Sequence, residues 1–204
     1  GLSAVWNSKG ELIGQLDEEN QGLLIYDTEV ESIEADQLTI DRGEFSDLDE
    51  LFQIYSNGKG SLEERGIYQW VDSYPTKQII EEDIKKEVLY VLRNGVEIIG
   101  AINISEEQEP EYSTIDWKFD DSKVLVIHRL VINPTSQRSG YGKTLMNFAE
   151  HFAEVNNYTS IRLDAYSQNQ EVIGFYKRRN YVIRGDVYFP EREFVFHCME
   201  MEVK

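Results

Sequence analysis

The fold is decided by residues 124–143, which read VLVIHRLVINPTSQRSGYGK. The first nine of these residues form a near-continuous apolar run, which is typical of a central β-strand covered on both faces. Beyond the glycines, apolar residues recur at helical spacing, among them Leu145, Phe148 and Ala149. The stretch therefore predicts a buried strand, a glycine-containing turn and an amphipathic helix, in that order.

The turn in this stretch has the composition of an anion-binding site. Gly140 and Gly142 let the backbone approach an anion closely, and the unpaired N–H groups at a helix start point toward it. Arg138 and Lys143 add positive charge beside those groups. Two glycines are also typical of a tight connection without a ligand. The pattern is neither a Walker loop, which needs a longer Gly-Lys-Ser/Thr motif, nor a dinucleotide fingerprint with a third glycine.

The sequence downstream of the turn continues to alternate between strands and helices. Residues 160–166 predict a strand, and residues 169–179 predict a helix with three bases at its C-terminal end. Residues 181–184 and 194–203 predict the closing strands.

The clearest element upstream is a hairpin. Residues 88–93 and 96–104 flank Asn94-Gly95, a pair that supplies the positive φ angles of a type I′ turn. Before and after it we predict a strand at 38–40, a helix opening at Ser46, a helical stretch at 67–87 interrupted at Tyr74-Pro75, and a polar loop at 106–121.

Two motifs together resemble the GNAT superfamily of acyl-CoA-dependent N-acetyltransferases. The first is LVINP at residues 130–134 followed by QRSGYG at residues 137–142, which is similar to the family's (Q/R)-x-x-G-x-(G/A) pyrophosphate loop. The second is LDAY at residues 163–166, Asn169 and then FYK at residues 175–177, which is similar to the family's second cofactor segment.

The resemblance covers roughly residues 37–204. It implies an α/β (α+β) GNAT acyl-CoA N-acyltransferase fold, with a mixed central sheet that is splayed near its central strand and flanked by helices. Asn180 departs from the glycine of many relatives, but Asn tolerates the left-handed conformation at a helix end. We expect residues 1–33 to be a non-catalytic β extension and residues 34–204 to be the acetyltransferase domain.

The implied reaction is transfer of an acetyl group from acetyl-CoA to a primary amine by direct attack in a ternary complex, without a metal. The leading acceptor is a small, cationic molecule, and a protein N-terminus or lysine is the competitor. The alternative from another class is a catalytically inactive acyl-CoA-binding module or an interaction scaffold. The residues implied to bind acetyl-CoA are Leu130, Val131, Ile132, Gln137, Arg138, Ser139, Gly140, Tyr141, Gly142, Lys143, Asn169 and Tyr176.

The resemblance also assigns catalytic roles. Tyr176 matches the tyrosine that protonates the departing sulfur, although a tyrosine on an apolar helix face is also typical of a core residue. Some relatives carry a glutamate base at the position of Val126. His128 lies two residues further on, on the same face of the strand, and its pKa range suits a base near neutral pH. A hydrogen-bonded core histidine, Glu106, Glu107 and a water chain remain alternatives.

In this fold, the segment after the first helix and the last pair of strands frame the acceptor. The candidates in those segments are Tyr68, Trp70, Tyr74, Tyr188, Phe189 and Arg192.

The charge of the chain is unevenly distributed. Twenty Lys and Arg against 38 Asp and Glu give a net charge of −18, which argues against nucleic-acid partners and anionic membranes. Residues 1–42 contribute −8, residues 43–122 contribute −12 and residues 123–204 contribute +2. The slightly basic last third holds the predicted phosphate turn. The acidic remainder favours attraction of a cationic amine.

Cysteine content and hydropathy indicate the compartment. The single Cys198 forbids an internal disulfide and fits a reducing environment. No apolar run approaches the ~20 residues of a membrane span. We therefore expect a soluble cytoplasmic protein.

The first thirty residues lie outside the GNAT resemblance. They predict a small β-meander, followed by an acidic linker at 27–36, and are similar to the closing β-segment of carbon–nitrogen hydrolases of the nitrilase superfamily. Such a hydrolase needs a Cys nucleophile, and no Cys precedes position 198. We therefore predict a structural extension that is added to the sheet edge or used in an oligomer such as a homodimer.

Overall fold

The computed structural model describes residues 4–6, 12–15, 38–119 and 123–203. Within these ranges, seven strands form one sheet in the order β3-β4-β5-β6-β7-β9-β8, and β6–β7 is its single parallel pair. The strands of this sheet are β3 (Leu38–Arg42), β4 (Leu89–Asn94), β5 (Glu97–Ser105), β6 (Val124–Ile132), β7 (Ser160–Tyr166), β8 (Val182–Val187) and β9 (Phe196–Glu202).

Helices cover both faces of the sheet. Side chains alternate across a strand, so Leu89 and Val91 of β4 pack in one core cluster while Tyr90 and Leu92 pack in another. The first cluster includes residues of α1 and α2, and the second includes residues of α3 and α4. The helices are α1 (Leu48–Glu63), α2 (Lys77–Lys85), α3 (Tyr141–Val155) and α4 (Gln170–Arg178). The expected mixed α/β sheet flanked by helices is confirmed.

Most of the predicted elements are present at the predicted residues. The strands at 124–132 and 160–166 and the hairpin around Asn94-Gly95 are confirmed, and Gly95 has a φ of +57°. The helical prediction for residues 67–87 is only partly right, because the helix is confined to α2 and the residues before it form turns. Pro75 disfavours a helical conformation at Tyr74. Thr76 then caps α2 by accepting a hydrogen bond from the Ile79 N–H at 3.3 Å.

The described strands of the N-terminal extension do not join the edge of the larger sheet, which was one of the two predicted arrangements. β1 (Ala4–Trp6) and β2 (Leu12–Gln15) pair antiparallel in a separate two-stranded sheet. Each strand therefore satisfies backbone groups of the other rather than those of the larger sheet. The rest of the predicted β-meander and the predicted linker at 27–36 lie outside the described residues.

The centre of the sheet opens where β6 and β7 diverge. Their parallel pairing runs from Val124–Ser160 to Ile127–Leu163 and stops there, although both strands continue. On the opposite side of β6, the register with β5 shifts between His128 and Val131, which marks a β-bulge. The expected splay is thus present, beside this bulge.

No helix in the described part of the chain is long and apolar enough to cross a membrane.

Candidate active site

The turn between β6 and α3 is open to an anion. Gly140 occupies the N-cap of α3 with a φ of +85° and has no side chain that could cap the helix, so the first N–H groups of α3 are left for a ligand. A methyl group placed on Gly140 would meet no protein atom within 4 Å. Arg138 and Lys143 are exposed on either side of it. The structure therefore brings the predicted phosphate-binding residues together in an accessible, cationic turn.

The turn is held against the end of β6. The Gln137 side-chain amide donates a hydrogen bond to the carbonyl oxygen of Ile132 at 3.3 Å. Asn133 caps the short 3-10 helix between them by accepting from the Thr135 N–H at 3.4 Å. The Gln137 side chain thus holds the turn against the end of β6.

A cavity of about 340 Å³ lies at the divergence of β6 and β7. Residues 127–130 of β6, residues 164–166 of β7 and two residues of α4 line it, together with parts of three connections. Of the predicted site residues, His128, Leu130 and Tyr176 line this cavity. The residues of the phosphate turn are not among its walls.

Tyr176 combines a packed ring with a position on the cavity wall. It is 7% exposed, and its ring lies 5.7 Å from that of Tyr181. Burial raises the pKa of the Tyr176 phenol, and the nearby Asp164 carboxylate raises it further. The phenol is therefore protonated at neutral pH and can donate a proton to a group in the cavity.

His128 is a poorer base than its ordinary pKa suggests. Burial and, to a smaller extent, the positive charge of Arg129 lower the pKa of His128 to about 4. Nε2 lies 2.9 Å from the carbonyl oxygen of Glu107, which can only accept, so Nε2 carries the proton of the neutral ring. The prediction that the His128 pKa suits a base near neutral pH is corrected, because the buried site disfavours the charged ring.

Asp164 is a carboxylate of β7 on the cavity wall. Its Oδ2 accepts a hydrogen bond from the Tyr112 hydroxyl at 2.7 Å. Burial raises the pKa of Asp164 to about 6, against the lowering effect of that hydrogen bond. Asp164 belongs to the second motif, yet we assigned it no role from the sequence. The available signal was a carboxylate between Leu163 and Ala165 in an apolar strand.

A second carboxylate of the cavity comes from the connection between β5 and β6. Glu109 lines the cavity, and its Oε1 lies 3.8 Å from Nδ1 of His128. Burial raises the pKa of Glu109, while Arg129 lowers it. Sequence reasoning considered Glu106 and Glu107 but missed Glu109, because only the fold shows which carboxylate of the connection turns inward.

The bulge in β6 carries a buried ion pair. Arg129 has a φ of +49°, and its Nε and Nη2 donate to the two carboxylate oxygens of Asp83 at 2.8 and 2.7 Å. Its Nη1 donates to the Tyr74 hydroxyl at 2.9 Å, and its carbonyl oxygen accepts from the Tyr55 hydroxyl at 2.7 Å. Because Asp83 neutralises the guanidinium, Arg129 shapes the cavity wall rather than offering a charge to a ligand.

Asn169 takes a structural position. Its side-chain oxygen accepts from the Val172 N–H at 3.3 Å and so caps α4, and its amide nitrogen donates to Oε1 of Gln69 at 2.9 Å. It is buried and is not among the residues that line the cavity. A direct contact between Asn169 and acetyl-CoA stays a prediction.

The residues predicted to frame the acceptor divide into two groups. Trp70, Tyr74, Phe189 and Arg192 line the cavity, whereas Tyr68 and Tyr188 are exposed outside its walls. The Arg192 guanidinium lies 5.3 Å from the Tyr74 ring centre and donates through Nε to the backbone carbonyl of Gln69 at 3.3 Å. These contacts join two of the connections that wall the cavity. Among the described residues, no group of three or more His, Cys, Asp or Glu is arranged to hold a metal ion.

Two comparisons with known proteins find matches to this chain, one to a family model and one to solved structures. The family model described as Acetyltransferase (GNAT) family matches residues 48–181. Among curated proteins, none matches the chain significantly.

Solved structures share the fold. A Staphylococcus aureus Mu50 protein assigned as an acetyltransferase is 25% identical, with a TM-score of 0.64 over 81% of this chain and 99% of its own. A GNAT-family acetyltransferase of Streptococcus agalactiae 2603 gives a TM-score of 0.70 at 19% identity, over 82% of this chain and 95% of its own. Spermidine N-acetyltransferase of Vibrio cholerae, solved with CoA and spermine, is 18% identical. Its TM-score is 0.60 over 82% of this chain and 96% of its own.

Proposed function

The chain belongs to the acetyltransferase (GNAT) family, and we propose that it transfers an acetyl group from acetyl-CoA to a primary amine of a small, cationic molecule within a ternary complex. One observation carries this proposal. A protonated phenol, Tyr176, and a carboxylate, Asp164, line one cavity at the splay of the central strands. Aminolysis of a thioester needs both an acid for the sulfur and a base for the amine.

The phosphate turn supports acetyl-CoA as the acyl donor. The uncapped start of α3, with Arg138 and Lys143 beside it, offers N–H groups and positive charge to a pyrophosphate. Open space over Gly140 leaves room for the backbone to approach such a group closely. The V. cholerae structure of the same fold was solved with CoA, which supports the same donor here.

We assign the base to Asp164 rather than His128. At neutral pH the Asp164 carboxylate is largely ionised and takes a proton from the acceptor ammonium, directly or through a water. The free amine then attacks the acetyl carbonyl carbon, a C–N bond forms and the C–S bond breaks. Tyr176 gives its proton to the departing sulfur, and the nitrogen of the new amide loses its extra proton to the Tyr176 phenolate, directly or through a water, so that the free thiol, the amide and the neutral phenol remain. Backbone N–H groups of β6 beyond Ile127, where pairing with β7 has ended, stabilise the oxyanion.

The charge in the cavity favours a cationic acceptor. Asp164, Glu109 and Glu111 line it with three carboxylates, against the guanidinium groups of Arg129 and Arg192. Asp83 pairs with Arg129 and offsets part of its charge, so carboxylates outnumber guanidinium groups around the cavity. The cavity volume of about 340 Å³ suits a small amine rather than a folded protein surface.

The alternatives make different predictions in the same assay. Purified protein is incubated with acetyl-CoA and a panel of diamines, monoamines, lysine peptides and peptides with free N-termini, and thiol release is followed with a chromogenic disulfide. We expect turnover that is fastest with small cationic amines. Binding of acetyl-CoA without turnover on any amine would favour the inactive module. Preference for peptides would assign a protein acceptor.

Asp164→Asn tests the assignment of the base. It keeps the shape of the side chain but cannot take the proton, so we expect kcat to fall by about a hundredfold while acetyl-CoA still binds. His128→Gln serves as the matched cavity control, and a larger loss there than in Asp164→Asn would return the role to His128.

A further inference from the structure

We infer that Tyr112 is a positioning residue that holds the Asp164 side chain toward the cavity and keeps it available as a proton acceptor. The inference rests on the proposed function, in which Asp164 takes the proton from the amine. Tyr112 lies in the connection between β5 and β6, in a 3-10 helix formed by Pro110–Thr114. No motif in the sequence pointed to this residue.

The contact between the two residues is direct. The Tyr112 hydroxyl donates to Oδ2 of Asp164 at 2.7 Å, and Tyr112 is 2% exposed. In the described chain, Tyr112 is the one residue that donates a hydrogen bond to the Asp164 side chain. Loss of this donor would leave the carboxylate free to change its rotamer and would remove a group that favours its ionised form.

Packing fixes the Tyr112 ring in turn. Trp117 lies 5.4 Å from it in a tilted arrangement, and the Trp117 indole N–H donates to the Tyr112 carbonyl oxygen at 3.2 Å. The Arg162 guanidinium lies 4.3 Å from the Trp117 ring centre. Arg162 and Asp164 are two residues apart on β7 and so share a face of the strand.

This arrangement explains why Arg162 leaves Asp164 as a usable base. Arg162 is fully buried, and its Nε pairs with Oε1 of Glu200 on β9 at 3.2 Å. Its Nη2 donates to the Phe119 carbonyl oxygen at 2.7 Å. The cation nearest to Asp164 along β7 is thus already engaged. A neutral phenol orients Asp164 without adding a positive charge that would make the carboxylate too weak a base.

Other charges also act on Asp164 from the surrounding elements. Glu109 of the β5–β6 connection raises the pKa of Asp164, while Arg192 of the β8–β9 connection and Arg129 of β6 lower it. The other titratable groups of the cavity or its surroundings are Tyr74 of the α1–α2 connection, Glu111 of the β5–β6 connection, His128 of β6, Tyr176 of α4 and Cys198 of β9. All of these stay in place when the Tyr112 hydroxyl alone is removed.

Tyr112→Phe isolates the hydroxyl from the ring. Because the hydroxyl favours the ionised form of Asp164, its removal raises the pKa of that group. We expect the acidic limb of kcat/KM against pH to move upward by about one pH unit, the size expected for one hydrogen bond to a charged group. Below the limb the rate then falls about tenfold, and well above it the rate largely recovers.

Tyr158→Phe is the matched control. Like Tyr112, Tyr158 donates its hydroxyl proton to a carboxylate: the acceptor is Oε1 of Glu106, at 2.8 Å. Neither Tyr158 nor Glu106 lines the cavity. We expect its pH profile to equal that of the unmodified protein. An unmoved limb in Tyr112→Phe, or a loss of rate that is equal at every pH, would overturn the inference.

Two measurements keep the test decisive. If Tyr112→Phe fails to fold, 3-fluorotyrosine placed at position 112 makes a stronger donor, and the limb should then move to lower pH; no movement would overturn the inference. If Asp164→Asn retains both full rate and the acidic limb, the assignment of the base is what has failed. If Asp164→Asn loses activity but the acidic limb does not move in Tyr112→Phe, the role of Tyr112 is rejected while the assignment of Asp164 as the base stands.

Discussion

At the scale of single residues, burial rather than residue type decides the chemistry of this site. His128 has the ordinary pKa best suited to neutral pH, yet burial lowers its pKa to about 4. Asp164 is an ordinary acid, yet burial raises its pKa to about 6. The same desolvation disfavours the charged form in both cases, which weakens a cationic base and strengthens an anionic one.

Tyr176→Phe tests the general acid. The ring still packs against Tyr181, so we expect acetyl-CoA to bind nearly as before while kcat falls by about a hundredfold, since the sulfur must leave unprotonated. Steady-state kinetics and a binding titration with acetyl-CoA separate the two effects. Tyr181→Phe is the control, because it removes a neighbouring buried hydroxyl that does not line the cavity. An unchanged kcat in Tyr176→Phe would end the assignment.

The pH profile tests His128 against Asp164. The base must be deprotonated, so activity should rise with pH through about 6, where the folded protein loses the Asp164 proton. In His128→Ala we expect this limb to stay in place, with kcat reduced at most about tenfold by altered packing of the cavity wall. Disappearance of the limb in kcat/KM against pH would instead identify His128 as the base.

At the scale of elements, a β-bulge and a short turn set the positions of the cavity and of the proposed anion site. Gly100 of β5 pairs with Ile132 of β6, and a Cβ at Gly100 would lie 2.4 Å from the Val131 carbonyl oxygen. Only glycine permits this close approach of β5 to the bulged strand. Beyond Ile132 the chain turns directly into the phosphate loop and α3, so the cavity and the anion site share one strand.

Gly140→Ala tests the anion site at this scale. A side chain at a φ of +85° is strained and should lower the free energy of unfolding by about 1–2 kcal/mol. It should also raise the KM for acetyl-CoA about tenfold or more, because the new Cβ stands where the backbone must meet a phosphate.

Gly66→Ala is the matched control for the strain. Gly66 has a φ of +75° and equally open surroundings, but it lies outside the phosphate turn. We expect the same loss of stability there with an unchanged KM. Equal KM values in the two variants would contradict a phosphate site at Gly140. Chemical denaturation and steady-state kinetics supply both readouts.

At the scale of the whole molecule, charge is distributed unevenly along the chain. The net charge of −18 combines a last third at +2, which holds the phosphate turn, with an acidic remainder that includes Glu109 and Glu111 at the cavity. If the acceptor is the cationic amine that we propose, we expect such a field to attract it over distances set by salt. Direct contacts in the cavity depend on salt much less.

Ionic strength tests this field. The screening length falls from about 10 Å at 0.1 M salt to about 3 Å at 1 M. We therefore expect kcat/KM for a diamine to fall severalfold over that range. A monoamine in which a hydroxyl replaces the second ammonium is the control and should show a smaller dependence. If kcat/KM depends equally on ionic strength for both acceptors, the acidic residues serve solubility rather than attraction of the acceptor.

Deletion of residues 1–33 tests the proposed domain boundary. Every strand of the seven-stranded sheet lies at or beyond Leu38, so residues 34–204 should keep the kinetic constants of the full chain. We propose that the extension acts in stability or assembly, so its loss should change the unfolding midpoint or the oligomeric state, including any homodimer. Calorimetry and light scattering measure both. No change in either would refute a structural role.

Much of the fold could be predicted because its signals are local. The apolar run from Val124 to Ile132 predicted β6, and the spacing after Gly142 predicted α3. Asn-Gly predicted the β4–β5 hairpin. Residues 67–76 were mispredicted as helical for the same reason, since an apolar pattern there reflects burial of Trp70 in the core rather than a helical period.

The sequence by itself determined the family, the central strand, the glycine-containing turn after it and the tyrosine that lines the cavity, because each of these depends on a few consecutive residues. The tertiary structure alone decided which carboxylate serves as the candidate base and what orients it. Tyr112 and Asp164 are 52 residues apart in the chain, and burial shifts their pKa values only once the sheet has brought them together. Charge and pKa depend on distance and solvent exposure, which packing fixes and sequence spacing does not.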